Sequence, residues 1–333
     1  MKIRVRKDAL TMYGVKSFIV TAMLLMMVGF AHGEATIIEK GVISKDTTWS
    51  GEVILKGDVE IAKGATLTVM PGTIVMCEKI ASFGPEKLSQ DKTHAFPRIE
   101  IIIRGSIIAK GTKEQMIFFT SISPTPSAGD WGAINMLDST GNVIEYCDFS
   151  YAHTAVHAHS GEVTITNCYF HDNGVAVGSK NYKDFATKSV FTVENNRITG
   201  NGMGLLFGGG SVMNAQHNEI SENKLFGIYA KKGSSKSNIN NNNIVKNGKG
   251  ILFWGVKAGF KIHANNIHDN TDYNLSLMEG TEADVDASGN WWGTTDEAAI
   301  KAMVRDKEEE KELGTAIIKG FAQSPIPGAG ITN

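Results

Sequence analysis

Apolar residues recur along the second half of the chain with a period near 24. Phe149, Phe170, Ile198, Ile220, Ile244, Ile267 and Trp292 form one column, separated by steps of 21, 28, 22, 24, 23 and 25 residues. Two positions before them stand Cys147, Cys168, Asn196, Asn218, Asn242, Asn265 and Asn290; three positions after stand Asn173, Asn201, Asn223, Asn247 and Asn270. An apolar column bracketed by two polar columns at this period predicts a coiled β-solenoid. Successive coils stack at about 4.8 Å, so equivalent side chains lie above one another. Stacked Asn side chains can then hydrogen-bond as a ladder, and Asn tolerates the left-handed backbone of a sharp corner. Asn196, Asn218, Asn242, Asn265 and Asn290 are the expected ladder.

Period-two alternation predicts short strands upstream, at 53–55, 59–61, 67–69 and 73–75, with turns at Lys56-Gly57-Asp58 and Met70-Pro71-Gly72. Residues 79–98 break the pattern and read as a loop projecting from the coils. Strands resume at 99–103, 106–109 and 116–120. Residues 123–129 form a second excursion, and 131–137 and 143–149 lead into the Asn-rich coils. The 28-residue step places an insertion at 179–188, on what is expected to be a binding side. Thr294-Thr295-Asp296 reads as a helix cap, followed by a helix over 297–313 with Ile300, Met303 and Val304 on one face. The expected organisation is a leader at 1–33, a parallel β-helix of roughly ten coils with its N-terminal cap at 34–293, and a helix and tail at 294–333 covering the last coil.

Composition adds three constraints. The 333 residues are 42% hydrophobic, enough for a core, with 36 Gly for turns and only 7 Pro to interrupt strand pairing. A formal charge of −2 gives no basis for nucleic-acid steering. At the N-terminus, Lys2, Arg4, Arg6, Lys7 and Lys16 precede an apolar run over 18–30 and then Ala31-His32-Gly33. This pattern predicts a secretory signal cleaved after Gly33, with no membrane span remaining, and a monomeric product that is periplasmic or extracellular. No Cys follows the run, which argues against a lipoprotein. Cys77, Cys147 and Cys168 are an odd set for an exported protein. Cys147 and Cys168 share a column at a separation that admits a disulfide, but parallel side chains suit two buried thiols better.

Gly129-Asp130-Trp131-Gly132-Ala133-Ile134, the Asn-x-Ile coils and the closing Asn290-Trp291-Trp292-Gly293-Thr294-Thr295-Asp296 resemble the secreted right-handed parallel β-helix repeat proteins of bacteria. Those often close on an Asn-Tyr-Trp-Gly box, in which Trp291 here takes the place of Tyr. The resemblance spans residues 40–325 and implies an all-β, right-handed, pectate-lyase-like fold. It leaves function open, because pectate lyases, polygalacturonases, alginate epimerases, adhesins and a periplasmic copper-maturation protein share that fold. The Asn-Thr-Asp, Asp-Asp, Gly-His-Gly and Arg-Ile-Lys motifs of polygalacturonases and the Tyr-Gly-x-Asp-Pro-His signature of alginate epimerases are expected to be missing. Arg197-Ile198-Thr199 matches the fourth only superficially. The acids Asp148, Asp172, Glu219, Glu222 and Asp269 are scattered over two columns among Arg197 and Lys246, unlike the dense calcium-binding acids of pectate lyases.

The densest polar cluster is histidine: His153, His157, His159 and His171, with Asp148 and Asp172 beside them. His157 and His159 alternate with Val156 and Ala158, so they share a strand face directed away from the core. The plainest reading is a solvated face. As functional groups, His153, His157, His171 and Asp172 are the candidate acid–base residues, and the imidazoles suit Zn²⁺ or Cu²⁺. Tyr151, His159, Tyr169 and Tyr182 are the candidate binding residues, since ring faces stack on sugars; Tyr229 and Trp254 offer further rings on later coils. The leading expectation is a non-catalytic binding or structural protein of the cell envelope that contacts polysaccharide or another envelope component. It would need no cofactor, with Zn, Cu or Ca as the ions its side chains would admit. A divergent polysaccharide lyase or glycoside hydrolase is the first alternative and a periplasmic metal-delivery factor the second.

Overall fold

The computed structural model describes residues 34–232 and 236–332; the predicted leader lies outside them. From Thr36 onward the chain winds through ten complete coils, each contributing a short stretch to three parallel sheets. The first sheet has ten strands, from Thr36–Ile38 to Asn266–His268. The second starts at Gly41–Ile43 and reaches Tyr273–Met278; the third starts at Thr47–Trp49 and reaches Val285–Asp286. Ile134–Glu145 and Thr154–Thr166 are long because they turn a corner, at Asp138 and Ser160, and serve both the second and third sheets.

The apolar column is in register. Val53, Val75, Phe119, Phe149, Phe170, Ile198, Ile220, Ile244 and Ile267 are successive partners, and all are buried. Phe119, Phe149 and Phe170 stack with centroids 4.9 and 4.8 Å apart and planes within 5°, an aromatic file running along the axis.

Both amide ladders form. Nδ2 of Asn196, Asn218, Asn242 and Asn265 donates to Oδ1 of the next Asn at 2.9 to 3.0 Å, ending on Asn290. Asn173, Asn201, Asn223, Asn247 and Asn270 make the second file at 2.9 to 3.1 Å. The expectation that one Asn both bends the chain and forms the ladder is corrected. The left-handed residue is the one before each ladder position: Asn195, His217, Asn241 and Ala264 on one corner, Asp172, Glu222, Lys246 and Asp269 on the other. That residue turns the backbone, so the following Asn points inward and bonds the backbone of neighbouring coils. Cys147 and Cys168 continue the first file as free buried thiols, the Cys168 N–H donating to Asn196 Oδ1 at 2.9 Å and the Cys147 N–H to Cys168 Sγ at 3.4 Å.

Two other expectations change. The helix covers only Glu297–Ala302, capped by Asp296, and Val304–Arg305 instead adds to the second sheet beside Leu275–Ser276. The free edge of the last coil recruits those residues as a strand, overriding their helical propensity. Ala316–Ile317 then extends the third sheet, with Ile300, Leu313 and Ile318 buried against the core. At the other end, inward-facing Ile38 and Ile43 are only partly buried. Lastly, residues 79–98 do not project; they fold back over the outer face of the second sheet. Lys87, fully buried, holds them there, its Nζ donating to Asp58 Oδ1 at 2.8 Å, Glu100 Oε2 at 2.5 Å and the Arg98 carbonyl at 2.7 Å.

Candidate functional site

The predicted cluster divides between two faces. His157 and His159 do alternate outward from the second sheet, as the sequence implies, but that face is roofed rather than solvated. The Phe96 ring lies 5.2 Å from both His153 and His157. His94 and Tyr182, from the 79–98 loop and the 181–189 insertion, stand 5.5 and 4.9 Å from His159. The roof is tied by Tyr182 Oη donating to the Thr93 carbonyl at 3.0 Å and Asn135 Nδ2 to the His94 carbonyl at 2.8 Å. His157 is seated over Gly178, where any Cβ would stand 2.8 Å from its Cδ2.

Burial controls the protonation of these rings. It pushes His153 down, drives His157 well down with help from His159, and takes His159 to about 3, because a charged imidazole loses hydration there without gaining an acceptor. All three are neutral near pH 7. Among the described residues no three His, Cys, Asp or Glu side chains are arranged to hold a metal ion.

His171 and Asp172 lie elsewhere, at the first sheet and its corner. His171 Nε2 is 3.1 Å from Asp148 Oδ1, and its Nδ1 is 2.8 Å from Asp172 Oδ2. The four candidate acid–base residues are therefore not one constellation. Burial lowers the His171 pKa, but the hydrogen bonds and charges of Asp148 and Asp172 outweigh it and hold the imidazole above its ordinary value. The imidazolium thus persists above pH 6.5 and discharges as pH rises through the raised value. A proton NMR titration should show this, with the value falling in Asp148→Asn; a wild-type midpoint below 6.5 would refute the geometry.

The open surface is on this first-sheet side. Asp148, Tyr169, Arg197, Glu219 and Asn243 succeed one another in register on its outer face. Tyr169 lies 4.5 Å from His171, its ring tilted 31° to the imidazole, and 6.0 Å from the Arg197 guanidinium, while Tyr151 is 6.4 Å from His171. A groove of about 560 Å³ opens here, lined by Lys113, Tyr146, Asn167, Tyr169, Asn195 and Arg197. The C-terminal tail supplies its far wall: it runs back down the corner, with the Ile326 N–H on Asn266 Oδ1, the Gly330 N–H on the Asn241 carbonyl and the Thr332 N–H on Asn195 Oδ1 at 2.7 to 2.9 Å. Of the expected binding residues, Tyr169 and Tyr151 are on this side, while His159 and Tyr182 belong to the roofed chamber. Sequence reading missed Lys113, Asn195 and Arg197. For Arg197 a signal exists, since residues flanking each column Ile must face outward; for the tail wall there is none.

The expectation that the Asn-Thr-Asp motif is missing is corrected. Asn270-Thr271-Asp272 has the Asn-Thr-Asp form found in polygalacturonases. Here Asn270 is an internal ladder residue and Asp272 pairs with Lys249, so it is structural.

Stacked parallel coils, internal amide files and a side groove define a β-helix protein. Residues 132–291 match the right handed beta helix region and residues 41–145 the pectate-lyase like beta helix domain, and the chain has the right-handed parallel β-helix fold. Among solved structures, it is similar to the A-module of Azotobacter vinelandii mannuronan C-5 epimerase AlgE4, at 15% identity over 78% of this chain and 80% of that one, with a TM-score of 0.27. The AlgE6 A-module of the same organism matches at 12% identity over 89% and 92%, with a TM-score of 0.24. No curated protein matches the sequence.

Proposed function

We propose that this protein is an exported, monomeric, non-catalytic envelope protein that binds polysaccharide along the outer face of its first sheet, without a cofactor. The observation that supports this best is the open groove beside Tyr169, with a ring face, a guanidinium, a lysine and amides arranged along successive coils. Rings bury the apolar faces of pyranoses, while the amides and cations meet hydroxyl and carboxyl groups. The four candidate acid–base residues are split: His157 is neutral under the roof and His153 neutral beside it, while His171 and Asp172 stand at the first sheet. Export rests on the leader pattern at 1–33, and recovery from the periplasm of a chain beginning at Glu34 would support it.

A glycan array followed by calorimetry on the hit tests the reading. Tyr169→Ala should weaken binding about tenfold, the worth of roughly 1.4 kcal/mol of stacking, with an unchanged melting temperature. An array without a hit overturns the proposal. Release of unsaturated or reducing ends from polygalacturonate or alginate, lost in Asp172→Ala, would replace it with the lyase or hydrolase reading. Tight Zn²⁺ or Cu²⁺ binding would replace it with metal delivery.

A further inference from the structure

The histidine chamber has a feature that binding at the first sheet does not use. Five of its buried polar atoms have no hydrogen-bond partner: His94 Nε2, His157 Nδ1, both ring nitrogens of His159, and Asn135 Oδ1. Buried polar groups are ordinarily satisfied, so a file of unpartnered imidazoles under a folded-back loop is costly to keep closed and intolerant of added charge. The loop is held at its base by Lys87 between Asp58 and Glu100, and at its tip by two contacts, Asn135 to the His94 carbonyl and Tyr182 to the Thr93 carbonyl. We propose that residues 79–98 are an acid-released lid: protonation of the imidazoles beneath it detaches the loop and converts a sealed chamber into an open cationic strand face on the second sheet.

The direction follows from proton uptake. His157 and His159 titrate below their ordinary 6.5 when covered, His159 at about 3, and regain ordinary values once exposed. The open form therefore binds more protons below pH 6.5, and each imidazole shifts the balance toward it up to tenfold per pH unit. The surrounding charges mostly reinforce this. Lys180 disfavours protonation of His157 and His159, and His94 disfavours that of His159, while Asp91, paired with His94, favours it more weakly. Arg98, at the lid's hinge side, donates to the Ile80 carbonyl, and Lys92 lies over Phe83. Glu100 opposes opening. Burial, countered by Lys87, pushes its carboxyl up to about 7, so the closed form takes its proton between that value and 4.5. The two covered imidazoles, His157 and His159, against one carboxyl leave a net uptake of about one proton on opening, or about tenfold per pH unit, His153 being exposed in the closed form already.

Hydrogen exchange from pH 7.5 to 4.5, corrected for intrinsic rates, tests this on the intact protein. Protection of 79–98 should fall about tenfold or more between pH 7 and 5 while 238–245 is unchanged. In His157→Gln/His159→Gln the fall should disappear. Constant protection of the loop, its loss together with 238–245, or a full-sized fall in the double variant would each overturn the lid. If the double variant does not fold, NMR of the wild type decides. Rings of His157 and His159 that stay neutral until the loop begins to exchange support the proposal. Rings that titrate near 6.5 under a protected loop overturn it.

Discussion

Asn218→Ala should lower the unfolding free energy by about 3 to 5 kcal/mol, read as a shift in urea midpoint. The side chain is buried mid-ladder, and each of its atoms has a task. Oδ1 accepts from the Asn196 backbone N–H and from Asn196 Nδ2, both at 3.0 Å. Nδ2 donates to the Val193 carbonyl at 2.8 Å, the Gln216 carbonyl at 2.9 Å and Asn242 Oδ1 at 2.9 Å. Alanine removes these contacts and leaves the buried Asn196 backbone donor without its acceptor and the Val193 carbonyl short of a partner, each costing about 1 to 3 kcal/mol. Some loss is recovered because Asn196 Nδ2 keeps the Ile165 carbonyl and Asn242 Oδ1 keeps the Asn218 N–H. Exposed Lys261→Ala should stay within about 0.5 kcal/mol. An Asn218→Ala protein within 1 kcal/mol of wild type would mean that the amide file contributes little.

The second large effect is expected at Lys87. Lys87→Met removes the cation between two buried carboxylates, Asp58 and Glu100, and should cost about 3 to 5 kcal/mol, because uncompensated buried charge is far worse than no charge. The damage should concentrate in residues 79–98, since Asp58 also accepts the Leu88 and Glu100 N–H groups, at 2.8 and 2.9 Å, and so ties the loop's base to the coils. Glu100→Gln added to Lys87→Met should restore part of the loss. The pH dependence has a definite sign: the Glu100 carboxyl, raised to about 7 by burial, is neutral below that value, so the Lys87→Met deficit should shrink as pH falls. A deficit that grows on acidification from pH 8 to 6 would refute this account. Chemical denaturation across that range measures it directly.

The histidines show why the chamber could not be read beforehand. Alternation with Val156 and Ala158 correctly directs His157 and His159 outward, because a strand's side chains must alternate. Whether outward means solvent depends on the return path of a loop that leaves the coils at residue 79, far earlier in the chain, and nothing local to His157 records it. His171 follows the same logic: its position on the first sheet was legible from the Phe170 column, but its separation from His153 and His157 required knowing where the corners fall.

The chain's own periodicity determined the column of Val, Phe and Ile, the two files of Asn, the parallel register and the number of coils, because each depends on contacts between one coil and the next at a repeating spacing. Only the folded molecule decided that residues 79–98 roof the imidazoles, that the tail from Ile326 to Thr332 walls the Tyr169 groove, and that Val304–Arg305 is strand and not helix. These depend on single, non-repeating returns of the chain to distant surfaces, where burial and an unpaired sheet edge outweigh local preference.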